Sequence, residues 1–198
     1  MSAFDLVFAV YGLILGLAIT EVLGGFARVL KLKRTARPVR IGWLTPLLGV
    51  LVILDLTSFW LLAYDARDQI GANYPTLLAV LVMVGIYYLA ASLIFPDEPE
   101  AWPDFDDWYD RQNRMVVAGL LTANIMSWVG VGILEAMAPA AAIDPIASEW
   151  DAVYLVVGLS ILALFAALLK VKSRRWNVAM LAALIALLFV SSLVEPLV

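Results

Sequence analysis

Long apolar runs alternate with short polar connections along the whole chain. Six runs, at about 6–28, 41–64, 76–95, 115–137, 152–169 and 177–194, approach or exceed the roughly 20 residues a helix needs to cross a hydrocarbon core. None shows the short alternating segments of an outer-membrane barrel. The breaks between runs carry turn chemistry, as in Pro96-Asp97-Glu98-Pro99-Glu100, which cannot continue a helix. The pattern predicts an all-α fold: a polytopic transmembrane helix bundle, six spans in three hairpins, forming one transmembrane domain over 1–198. The first span has no positive leader before it and is long enough to cross, so it reads as a retained helix.

Composition agrees with this pattern and narrows the function classes. Hydrophobic residues make up 64% and charged residues 15%, against about a quarter charged in soluble chains. Six spans use nearly all 198 residues, which leaves no room for a separate soluble catalytic or nucleotide-binding domain. There is no Cys and no His. Disulfides, thiolate chemistry and imidazole metal or haem ligation are therefore excluded, and no cofactor or metal is expected. No Ser-Lys pair or nucleophile elbow stands at a recognisable spacing, so an enzyme is not expected. Nor is a nucleic-acid partner, because topology accounts for the basic loops.

Charge is segregated by sign and by side. Arg28, Lys31, Lys33, Arg34, Arg37 and Arg40 fall in the first connection, Arg111 and Arg114 in the third, and Lys170, Lys172, Arg174 and Arg175 in the fifth. Of the 13 basic residues only Arg67 lies on the other side. Positive residues are retained on the cytoplasmic side, so both termini are expected to be non-cytoplasmic. Trp43, Trp102, Trp108, Trp150 and Trp176 fall near span ends, where amphipathic rings prefer the headgroup region.

The third connection forms an acidic cytoplasmic loop, 96–112. Pro103 suits a first helical position, and Asp104, Asp106 and Asp107 fall where a helix dipole favours anions. An amphipathic extension of span four is expected there, with Asp107–Arg111 and Asp110–Arg114 as i,i+4 pairs. Asp104, Asp106, Asp107 and Trp108 could form a docking loop for a protein partner. The simpler reading pairs them with the basic loops of the same molecule.

Within the spans, ionisable groups are costly and usually face an interior or a watery cavity. Glu21 lies roughly 7 Å to the cytoplasmic side of the midplane and Asp55 roughly 4 Å to the other side, with Asn124 between them in depth. Clustered at the bundle centre, Glu21, Asp55 and Asn124 would place two carboxylates and an amide where no basic residue neutralises them. That arrangement suits proton or cation coupling; the bland alternative is interhelical hydrogen bonding. Gly12, Gly16 and Gly24, with Thr20 between them, form a four-residue stripe expected to admit a neighbouring helix backbone.

Arg40-Ile41-Gly42-Trp43-Leu44-Thr45-Pro46-Leu47-Leu48 and Tyr87-Tyr88-Leu89-Ala90-Ala91-Ser92-Leu93-Ile94-Phe95-Pro96-Asp97 resemble stretches of small, functionally unassigned bacterial integral membrane proteins. The resemblance implies a multi-pass protein of the bacterial inner membrane and no particular activity. The residues point to a transport or ion-coupling component in contact with membrane lipids. The alternative is a non-catalytic accessory or assembly subunit that meets a protein partner through the acidic loop or the glycine stripe.

Overall fold

The computed structural model describes residues 3–32, 39–71, 73–137 and 147–194. Six helices run through it: α1 Ala3–Leu32, α2 Leu44–Asp65, α3 Tyr74–Ser92, α4 Phe105–Met137, α5 Ala147–Lys170 and α6 Arg174–Val194. Each contains a segment long and apolar enough to cross a membrane. The chain is a multi-pass helical membrane protein. At about 1.5 Å per residue, α1 and α4 measure roughly 45 and 50 Å, longer than a hydrocarbon core of about 30 Å. The expected extension of span four is thus one unbroken helix with the span itself.

α1 packs on α2 and α3, α3 on α4, α4 on α5, α5 on α6, and α6 back on α2. This closes a ring, and direct contact between α2 and α4 crosses its middle. On α1 the buried line runs Val7, Tyr11, Leu15, Ala18, Val22, Val29 and Leu32, a spacing of three, four or seven that keeps one side on the bundle. Leu13, Leu17, Leu23 and Leu30 of the same helix are exposed, as a lipid-facing surface requires. Most hydroxyls inside the spans stay within their own helix: Thr20, Thr57, Ser58 and Thr122 each bond the carbonyl four residues back.

Among the described residues, every basic side chain except Arg67 belongs to the end of the bundle where α1, α3 and α5 finish and α2, α4 and α6 begin. At this basic end α3 stops at Ser92, three residues earlier than the apolar run suggests. Pro96 disfavours helical backbone at Phe95, and the N–H groups of Leu93 and Ile94 turn back to Ala90 and Ala91. The early stop lets Ile94 and Phe95 fold inward, where Phe95 meets Phe26 at 5.0 Å.

The connection after α3 laces the helix starts together. Arg40 N–H donates to Pro103 O at 2.8 Å, and Phe105 N–H donates to Arg40 O at 2.9 Å. Asp104 accepts from the Asp106 N–H at 2.8 Å, and Thr45 donates to Phe105 O at 3.1 Å. The first residue before α2, Trp43, offers no side-chain cap. The Asp106 carboxylate of α4 stands beside the Leu44 N–H, so the start of α2 faces a negative group from another helix. Gly42 makes room for it with φ +61, since a Cβ there would fall 2.1 Å from an Asp106 oxygen.

Candidate functional site

Asp55 is eleven residues from the start of α2 and ten from its end, which places it about 15 Å from each. It is 1% exposed. A carboxyl group at that depth must find its partners on neighbouring helices. Tyr87 of α3 donates its hydroxyl to Asp55 Oδ2 at 2.8 Å. Asn124 of α4 brings Nδ2 to 3.1 Å from Oδ2 and 3.4 Å from Oδ1. The same amide nitrogen is 3.3 Å from the Tyr87 oxygen and 3.0 Å from Leu120 O. With two hydrogens to share among four acceptors, it holds the cluster and its own helix at once.

A wall of aromatics closes the cluster. Phe59, one turn beyond Asp55, meets the Tyr87 ring edge-on at 4.7 Å, and Tyr11 of α1 donates to Phe59 O at 2.7 Å. Four helices therefore converge on one carboxyl group. Among the described residues no Lys or Arg acts on it; the electrostatic neighbours are Tyr11 and Tyr87. Among the described residues, no group of three or more Asp, Glu, His or Cys could hold a metal ion.

The structure thus brings together two of the three polar residues the spans suggested, Asp55 and Asn124, and adds Tyr87. Glu21 does not join them, which corrects the expected cluster. Its neighbour Val22 occupies the inward line of α1, and Glu21, 100° round the helix by ordinary geometry, is left half-buried on the flank. Tyr87 escaped notice because a tyrosine in an apolar run has no charge to mark it. The available signal was its position, well inside a span and away from the interfacial belt where such rings usually stop.

The glycine stripe also needs correcting. A Cβ on Gly12 would stand 3.1 Å from Trp60, so that position is a close approach. Gly16 has nothing within 4 Å, and Gly24 meets only Arg28 of its own helix. The tight glycines lie elsewhere: Gly25 against Phe95 and Gly158 against Trp128, with hypothetical Cβ distances of 2.1 and 2.2 Å, and Gly49 against Phe26 at 2.9 Å. Large rings set against a neighbouring helix leave room only for a hydrogen opposite them.

Asp104, Asp107 and Asp110 of the third connection are engaged by the chain itself. Arg174, at the start of α6, reaches Asp107 Oδ1 at 2.5 Å and Asp110 Oδ2 at 2.6 Å, so these carboxylates clamp α6 to α4 rather than forming the expected i,i+4 pairs. Arg40 stands 3.5 Å from Asp104, and Asp106 faces the start of α2 beside the Leu44 N–H. Trp108 donates Nε1–H to Ile94 O at 3.1 Å and packs against Trp102, over which Arg111 lies at 5.8 Å. Comparison with protein-family models, with curated proteins and with solved structures returns no match for this chain.

Proposed function

We propose that this protein is a small transport or ion-coupling component of a bacterial inner membrane, with Asp55, Tyr87 and Asn124 as its working centre and the basic end facing the cytoplasm. One observation carries the reading: a carboxyl group 1% exposed at the middle of a membrane-spanning helix, with no basic neighbour among the described residues. An ionisable side chain in that position costs several kcal/mol, of order 2.5–3.5 on insertion scales. Hydrogen bonding between helices alone would be served at lower cost by an amide or a hydroxyl. The segregation of basic residues supports the orientation.

The test is flux. Proteoliposomes carrying the full chain should pass protons or a small cation under an imposed gradient, and Asp55→Asn should lower that flux to the protein-free level. Wild-type and Asp55→Asn vesicles that both match protein-free vesicles would end the transport reading.

A second reading, a non-catalytic accessory subunit, draws on α1. Gly16 and the half-buried Glu21 both lie off its inward line; a Cβ on Gly16 would meet nothing within 4 Å, and the Glu21 side chain makes no hydrogen bond or ion pair among the described residues. On that reading the protein is recovered from mild detergent in a stoichiometric complex. Recovery as a lone monomer counts against it.

A further inference from the structure

The two oxygens of Asp55 are not equivalent. Oδ2 has two donors within 3.1 Å, the Tyr87 hydroxyl and the Asn124 amide. Among the described residues Oδ1 has only the long 3.4 Å approach of the same amide. The Tyr87 hydroxyl is oriented too: it has one hydrogen, and Asn124 Nδ2 at 3.3 Å can only donate, so that hydrogen points to Asp55. One carboxylate corner is therefore held and the other is nearly free.

A bare cation would need a different environment. Hard cations take six or more oxygen ligands, usually several carboxylates and carbonyls. Here the two main-chain carbonyls tied into the cluster are already taken, Phe59 O by Tyr11 and Leu120 O by Asn124. Oδ2 is covered by two donors, which a cation would have to displace. Among the described residues Asp55 is the only carboxylate in the cluster. The titratable groups facing it are Tyr11 from α1 and Tyr87 from α3; α4 contributes the neutral Asn124, and α6, which packs along α2, buries Leu181, Leu184 and Leu188 there.

We infer that the ion handled at this centre is a proton, that Asp55 Oδ1 is the atom that takes it, and that Tyr87 and Asn124 are positioning residues that hold Oδ2 against metal cations. The step is simple and balanced. Hydronium gives its proton to Oδ1 and leaves as water, one O–H bond breaking as another forms, and the centre passes from −1 to neutral without electron transfer. This inference rests on the ion-coupling reading and names the ion.

The experiment is infrared difference spectroscopy on the full chain in lipid, following the C=O stretch of a protonated carboxylic acid during pH titration at several sodium and potassium concentrations. The expected band disappears in Asp55→Asn, shifts in frequency in Tyr87→Phe as one hydrogen bond is lost, and keeps the same titration midpoint at every salt concentration. A competing cation would instead move the midpoint by about one pH unit for each tenfold rise in its concentration, by linkage, and would overturn the inference. So would the absence of any such band across the titration. If Asp55→Asn does not fold, the shift in Tyr87→Phe alone assigns the band. Sodium-dependent flux that requires Asp55 would defeat the proton assignment while leaving the ion-coupling reading intact; absence of flux with an intact, salt-independent band would do the reverse.

Discussion

Replacing Tyr87 with Phe removes one oxygen atom from the centre of the molecule and tests whether the cluster holds the bundle together. The ring is fully buried and keeps its edge-on contact with Phe59, so packing is nearly conserved. What is lost is the 2.8 Å bond to Asp55 and the 3.3 Å approach of Asn124. A buried acceptor losing its partner costs about 1–3 kcal/mol in soluble proteins. Interhelical hydrogen bonds in membranes average nearer 0.6 kcal/mol, with a maximum of about 1.7, because the unfolded helices find other partners in lipid. With both groups buried and only Asn124 left to replace the donor, the upper part of that range applies, and about 1.5 kcal/mol is expected. Reversible unfolding in mixed micelles, followed by tryptophan fluorescence, would measure it. A double-mutant cycle with Asp55→Asn should give a coupling of about 1 kcal/mol, and Tyr88→Phe, next along α3, should change stability by no more than about 0.5 kcal/mol. A Tyr87→Phe loss and a coupling both below about 0.3 kcal/mol would refute the reasoning, because the hydrogen bond would then contribute nothing to holding α2, α3 and α4 together.

Other substitutions test the packing and the lacing of the basic end. Gly25→Ala should destabilise by about 1–3 kcal/mol in the same unfolding assay, since its Cβ would stand 2.1 Å from the buried Phe95 ring, whereas Gly16→Ala should be neutral or gain up to about 1 kcal/mol from helix propensity. Asp106→Ala should cost about 0.3–1 kcal/mol and speed amide exchange in the first turn of α2, where Leu44 loses the carboxylate beside its N–H; unchanged exchange would refute that support between helices. Arg174→Ala should cost less than about 1 kcal/mol, because the side chain is 39% exposed, and the difference from wild type should shrink in high salt. The chain has no cysteine, so single cysteines at Arg67 and Lys172 report sidedness directly. An impermeant thiol reagent should label the first from outside intact cells and the second only after lysis.

Much of the architecture was legible in the sequence because the bilayer imposes one strong rule: a backbone in hydrocarbon must satisfy its own hydrogen bonds, so each apolar run of sufficient length becomes a helix. Chain ends of spans were less legible. The run through Phe95 reads as helix to its last apolar residue, yet α3 stops at Ser92 so that Ile94 and Phe95 can pack under α1. Hydropathy counts apolar residues and cannot say whether one continues a helix or folds back beneath its neighbour.

The residues of the centre divide in the same way. By itself the sequence determined that Asp55 and Asn124 lie deep in spans, that few other groups there are ionisable, and that positive charge gathers at one end of the bundle, since these depend only on position along a helix. Only the tertiary structure decided which groups meet. Rotation about a helix axis turned Val22 inward and left Glu21 on the flank, placed Gly25 rather than Gly16 against a ring, and brought Tyr87 onto Asp55. A shift of one residue along a helix turns a side chain by 100°, and that rotation is set by how six helices pack together, which no single span encodes.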